Sequence, residues 1–176
     1  MSARHAPHAG SGDSIGDLAF GLLTVSDTRN SGNDVSGRLL RELVSASGHR
    51  VYAAAIVPDD SPAVREQVLT WALDPACEVI VSSGGTGLSA RDRTVDAVSD
   101  LFDVRIDGFG ELFRLLSFEK IGSAAMLSRA AGGVVRGTPV FLLPGSPEAV
   151  TLALTRLVLP EISHLVGELR RHGPRG

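Results

Sequence analysis

Apolar residues along the chain follow two alternating patterns. Short unbroken apolar runs at residues 19–25, 51–57, 78–82 and 139–143 are bounded by Gly, Pro, Asp or Ser and predict buried strands. Between them apolar positions recur at helical spacing. Leu39, Leu40, Leu43 and Val44 form one such face, with Asp34 or Ser36 as its cap and Gly48 at its end. Val64, Val68, Leu69 and Trp71 form a second, started by Ser61 as cap and Pro62 at the first helical position. Residues 94–101 read as a helix and residues 104–106 as a short edge strand. Phe109, Leu112, Phe113, Leu115 and Leu116 mark an amphipathic helix over residues 109–118. Residues 124–131 read as a further helix stopped by Gly132-Gly133, and residues 148–159 and 161–169 as two closing helices. Repeated alternation of strand and helix predicts an α/β fold with a mostly parallel central sheet and helices on both faces.

Composition adds limits. The chain has 176 residues, a length that fits one domain, and 43% of them are hydrophobic, which excludes global disorder. Only 5% are aromatic, so the core must be built from Val, Leu, Ile and Ala. Residues 1–17, rich in Gly, Ser, Ala and His, read as a flexible arm without the apolar core of a secretory signal. Residues 18–170 read as the folded domain and 171–176 as a tail. No apolar stretch of about 18 residues is evident, so a soluble, cytoplasmic protein without a membrane span is expected. The formal charge of −3 disfavours nucleic-acid binding through a basic surface. The single cysteine, Cys77, cannot form an internal disulfide and reads as a packing residue.

The candidate chemistry lies in loops that follow strands, where open α/β sheets bind ligands. Gly84-Gly85-Thr86-Gly87 stands between a strand and a helix and offers outward N–H groups to an anion such as phosphate. It lacks the Gly-Lys-Ser/Thr ending of a P-loop and the spacing of a dinucleotide fingerprint, and a plain tight turn explains it as well. Arg91 and Arg93 flank Asp92; two guanidinium forks suit phosphates and an ionised Asp92 suits a divalent cation, while a capped helix start is the competing explanation. Asp59 and Asp60 divide in the same way between Mg²⁺ binding and a capped turn. Ser26, Asp27 and Asp34 divide between turn formation and ligand binding. Pro144-Gly145-Ser146-Pro147 is a rigid loop with Ser146 as an available donor. No nucleophilic triad and no zinc cluster is evident. The residues alone point to a domain that binds a phosphorylated ligand at its strand ends, with Mg²⁺ as a possible companion.

Taken together, Ser26-Asp27, Pro58-Asp59-Asp60, Ser83 to Leu88, Arg91 to Thr94, Asp107 to Glu111 and Leu143 to Pro147 follow an order that resembles the MoaB/MogA family of molybdenum cofactor biosynthesis. The resemblance covers roughly residues 18–166, and the stretches 113–122 and 127–129 look closer to the MoaB branch. It implies a three-layer α/β/α fold, a homotrimer or a hexamer of two trimers, and contacts with other enzymes of the pathway. It implies Mg²⁺-dependent adenylation of molybdopterin by ATP, giving adenylyl-molybdopterin and pyrophosphate. The alternative is a non-catalytic molybdopterin-binding or scaffold member. By motif matching, Asp59 and Asp92 fall on the family's catalytic acids and are assigned to Mg²⁺ and phosphate. Ser83, Gly84, Gly85, Thr86 and Gly87 fall on the phosphate-binding loop, with Arg91 as a charge clamp. Ser26, Asp27, Pro144, Gly145, Ser146 and Pro147 fall on the pterin side. The chain departs from the family's usual Arg-Asp-x-Thr-Pro-Glu-Ala, reading Val95-Asp96-Ala97 after Thr94.

Overall fold

The computed structural model of the chain describes residues 16–90 and 92–172. Of the expected arm and tail, only residues 16–17 and 171–172 fall among these. The sheet has six strands: β1 (Ala19–Val25), β2 (Arg50–Val57), β3 (Val79–Ser83), β4 (Val104–Arg105), β5 (Ala131–Val135) and β6 (Thr138–Leu143). Their order across the sheet is β2-β1-β3-β6-β5-β4. β2, β1, β3 and β6 run parallel, while β5 is antiparallel to both of its neighbours. β1 and β3 are buried at every residue, as unbroken apolar runs in a two-sided sheet should be.

Helices cover both faces, giving the expected three layers. α1 (Val35–Ala46) and α4 (Asp107–Ile121) pack on one face with α5 (Pro147–Ala153) and α6 (Leu159–His172). α2 (Ser61–Ala72) and α3 (Thr94–Ser99) pack on the other. Side chains of each central strand alternate between these two cores. In β1, Phe20 and Leu22 join the first core, while Leu23 and Val25 join the second.

Helix starts refine the sequence reading. Asp34, rather than Ser36, caps α1 by accepting from the Gly37 N–H. Asp60, rather than Ser61, caps α2 by accepting from the Ala63 N–H, which places Ser61 in the first turn. The expected helix at 124–131 is corrected: residues Gly122–Leu127 form a 3-10 helix, and Ala131–Val135 form β5. Gly132 and Gly133 do not stop a helix but lie inside that strand. Aromatic rings fill the space their side chains would need, since a Cβ on Gly133 would stand 2.3 Å from the Phe102 ring.

The two expected closing helices form one helical run. Leu154–Val158 is a π-helical turn, and the Leu159 N–H donates to Leu154 O, five residues back. This wider turn comes directly before Pro160, which has no N–H to donate. Among the described residues, Pro147–Arg171 is the one helix long and apolar enough to cross a membrane. Here Val150, Leu154, Val158, Ile162 and Val166 bury that apolar face in the protein core.

Candidate functional site

β1, β2, β3 and β6 run in one direction, so the loops at Ser26, Pro58, Gly84 and Pro144 leave the same edge of the sheet. A cavity of about 480 Å³ opens there. Gly84 to Gly87 and Asp92 line one side, and Pro144, Gly145 and Ser146 line another. A larger groove of about 870 Å³ lies at the opposite edge, between the β5–β6 turn and α6, and contains none of the candidate residues.

The glycine loop takes a path that requires glycine. Gly84 has φ +106° and Gly85 has φ +63°. The Gly84 N–H donates to Leu143 O, tying the loop to the end of β6. Gly85 O accepts from the Thr94 N–H at 3.1 Å, tying it to α3. A Cβ on Gly85 would stand 2.0 Å from Thr94 Oγ1 and 3.0 Å from Asp59 Oδ1. Both of those atoms are buried without a hydrogen-bond partner, as are Ser82 Oγ and Ser83 Oγ.

Asp92 does not cap α3. Its carboxylate accepts from the Ser89 N–H at 2.9 Å, closing the loop upon itself beside the cavity. Arg93 stands at the cap position without a side-chain capping bond, and its Nε donates instead to Ala90 O at 2.9 Å. Asp59 follows β2, and its backbone N–H donates to Asp27 Oδ1 at 3.0 Å. Burial pushes the Asp59 carboxyl above the usual carboxylate range, the charges of Asp92 and Asp27 push it further, and the Arg93 backbone N–H only partly offsets them. The carboxylates of two other loops therefore act on Asp59 at this edge.

The remaining candidates are placed as follows. Ser26 Oγ accepts from the N–H groups of Thr28 and Arg29, shaping its own loop. Ser26, Asp27, Asp59, Ser83 and Pro147 stand outside the cavity lining. Ser146 caps α5 by accepting from the Ala149 N–H, with Pro147 in the first turn. Arg91 falls outside the described residues. Sequence reasoning did not single out the cavity wall supplied by α4, which includes Phe113, Ser117, Lys120 and Ile121. Lys120 is the cation among the described lining residues. Its signal lay in spacing, since 113, 117, 120 and 121 fall on one side of a helix.

Mg²⁺ takes oxygen ligands, keeps several waters and is commonly held by one or two carboxylates with substrate phosphates. Asp59 and Asp92 offer that donor type, and the unpartnered Asp59 Oδ1 fits an ion or ligand contact. Among the described residues no group of three His, Cys, Asp or Glu side chains gathers.

Comparison with known proteins bears on this geometry. The family model for a probable molybdopterin binding domain matches residues 21–164. Molybdenum cofactor biosynthesis protein B of Bacillus cereus is 48% identical over 151 residues, covering 85% of this chain and 89% of that protein. The Bacillus subtilis protein of the same description is 44% identical over the same coverage. A crystal structure of molybdenum cofactor biosynthesis protein B superposes with a TM-score of 0.86 at 46% identity, over 88% of this chain and 97% of that one. The tungsten cofactor synthesizing protein MoaB from Pyrococcus furiosus gives a TM-score of 0.76 at 36% identity, over 88% and 98% of the two chains. A match that spans most of the folded domain in sequence and in structure places the chain in the MoaB/MogA family of molybdenum cofactor biosynthesis proteins.

Proposed function

We propose that the chain adenylates molybdopterin with ATP in the presence of Mg²⁺, giving adenylyl-molybdopterin and pyrophosphate. The observation that carries this reading is the cavity itself. A glycine loop, an acidic loop and a helix-capping loop meet around about 480 Å³, beside an unpartnered carboxylate oxygen of Asp59.

In this reaction a terminal phosphate oxygen of molybdopterin attacks the α-phosphorus of ATP. The bond from that phosphorus to the oxygen bridging to the β-phosphate breaks, and pyrophosphate leaves. A phosphate monoester is already ionised near neutral pH, so no side chain has to remove a proton. The protein's work is to bring several negative charges together and hold them in line. The Gly84 to Gly87 loop would bind phosphate oxygens through the backbone N–H groups that follow Gly84, whose own N–H is taken by Leu143 O, with Ser83 beside it and Arg91 as a clamp. Asp59 and Asp92 would hold Mg²⁺, which would supply positive charge to the phosphates. Pro144, Gly145 and Ser146 would form the pterin side of the cavity, with Ser26, Asp27 and Pro147 behind its lining, and Lys120 adds a cation at the apolar wall of α4.

Self-association as a trimer or hexamer in the cytoplasm belongs to the same proposal. It is supported by a row of apolar side chains left exposed on α4 and the following 3-10 helix: Leu112, Leu115, Phe118 and Met126. Sizing by light scattering tests it, and a clean monomer would count against it.

The decisive experiment incubates the purified chain with molybdopterin, ATP and Mg²⁺ and separates the products. Adenylyl-molybdopterin and pyrophosphate in equal amounts are expected. Tight molybdopterin binding without product would sink the enzyme reading and leave a binding or scaffold protein of the pathway.

A further inference from the structure

We propose that Arg29 and Ser36 are positioning residues that fix the Gly145–Ser146 peptide as a donor to an anionic group of the bound pterin. The inference rests on the functional reading above. Ser36 Oγ donates to Gly145 O at 2.7 Å, and Arg29 Nη2 donates to the same oxygen at 3.2 Å. Arg29 is itself held, because its Nη1 donates to Asp34 Oδ1 at 3.3 Å. Asp34 is buried and also accepts from Thr24 Oγ1 at 2.7 Å and from the Gly37 N–H at 2.9 Å. Burial acts to raise the Asp34 carboxyl, but the donors from Thr24, Gly37 and Arg29 outweigh it and hold the group below the usual carboxylate range. It therefore stays ionised opposite Arg29.

A carbonyl bonded by two donors from separate segments is fixed in direction. No peptide bond here is cis, so the Ser146 N–H points opposite to the Gly145 carbonyl. The carbonyl turns toward Ser36 in the first turn of α1. The amide turns the other way, on the loop that lines the cavity together with Gly84 to Gly87. Gly145 also lies against the glycine loop, since a Cβ on it would meet Gly84 Cα at 3.4 Å. The same anchor therefore sets the spacing between the two loops. Arg29 and Ser36 do not line the cavity, so they act through Gly145.

The test uses the full chain and molybdopterin as the probe. Dissociation constants are measured first, followed by KM and kcat for adenylation. Ser36→Ala and Arg29→Gln are each expected to weaken molybdopterin binding about tenfold, with KM rising in step and kcat within about twofold. The combined variant is expected to lose far less than the product of the two, because both changes act on one carbonyl. Arg29→Lys keeps the charge against Asp34 but not the fork, and is expected to recover only part of the affinity. If Ser36→Ala melts below the assay temperature, the two Arg29 variants decide the question. Variants that match wild-type affinity, or losses that multiply independently, overturn the inference alone. A wild-type chain that binds no molybdopterin overturns the functional reading and this inference with it.

Discussion

The carboxylate of Asp92 stands where a side chain on Gly87 would have to be. A Cβ at Gly87 would lie 2.6 Å from Asp92 Oδ2. Gly87 is absent from the residues with positive φ, so its requirement for glycine comes from this close approach rather than from backbone conformation. Gly87→Ala is therefore expected to leave the fold intact and push Asp92 aside. Displacing a catalytic group by about 1 Å can cost on the order of a hundredfold in rate, and a loss of that size in kcat is expected with the melting temperature nearly unchanged. Asp92→Ala should abolish turnover and keep the fold. A protein that unfolds on losing Asp92 would assign the residue to loop structure instead.

Asp59 illustrates the opposing demands of stability and function. Its folded value lies above the unfolded one, chiefly through burial and then through Asp92 and Asp27. For such a group the unfolded chain releases its proton first, so stability is fullest below the unfolded value and falls as pH rises through the folded value. Ionising the Asp59 carboxyl therefore costs the fold stability. Asp59→Asn is expected to raise the melting temperature at pH about 7 by about 2 °C and to abolish Mg²⁺-dependent turnover. A lower melting temperature in the variant would show that Asp59 acts mainly as a structural cap.

His49 sets a second pH dependence, with stability falling toward acid. Its Nδ1 accepts from the Leu18 N–H at 3.2 Å, and its ring lies 5.3 Å from that of Phe20. Burial pushes the imidazole down, with the charges of Asp17 and Glu78 acting against it. As pH falls below the unfolded value of about 6.5, the unfolded chain binds the proton before the folded one does. Stability is thus full above that pH and declines below it. Thermal melts from pH about 8 to about 5 should follow this course, and His49→Gln should flatten it. An identical slope in the variant would assign the acid sensitivity elsewhere.

Cys77 should be inert in the folded protein. It is buried, its Sγ donates to Val79 O at 3.6 Å, and burial raises the thiol to about 11. At pH about 8 almost no thiolate is present to react. Iodoacetamide should leave the native chain unlabelled and modify it fully in concentrated guanidinium. Rapid labelling of native protein would show that the β3 end opens readily.

The sequence revealed some parts of the fold more readily than others for physical reasons. β1 and β3 were legible because strands buried on both faces are uninterrupted apolar runs. β5 was not, because the space above Gly132 and Gly133 is filled by Phe102 and Phe109, residues distant along the chain. The acidic and glycine loops stood out because their residue types are rare inside strands and helices. The wall formed by Phe113, Ser117, Lys120 and Ile121 did not, because an apolar helix face looks the same whether it meets a core or a cavity. The anchoring of Gly145 by Ser36 joins residues far apart in sequence, and only the folded chain displays it.

The π-helical turn before Pro160 governs the angular phase of the last helical run. Val150, Leu154, Val158, Ile162 and Val166 are all buried in one core, at a constant spacing of four. In a regular α-helix each step of four advances about 40° around the axis, so such a row would wind away from the sheet. A wider turn holds more residues per revolution and takes back part of that rotation. The one-residue surplus at Leu154–Val158 thus keeps a four-residue repeat aimed at a single surface along the whole length of the helix.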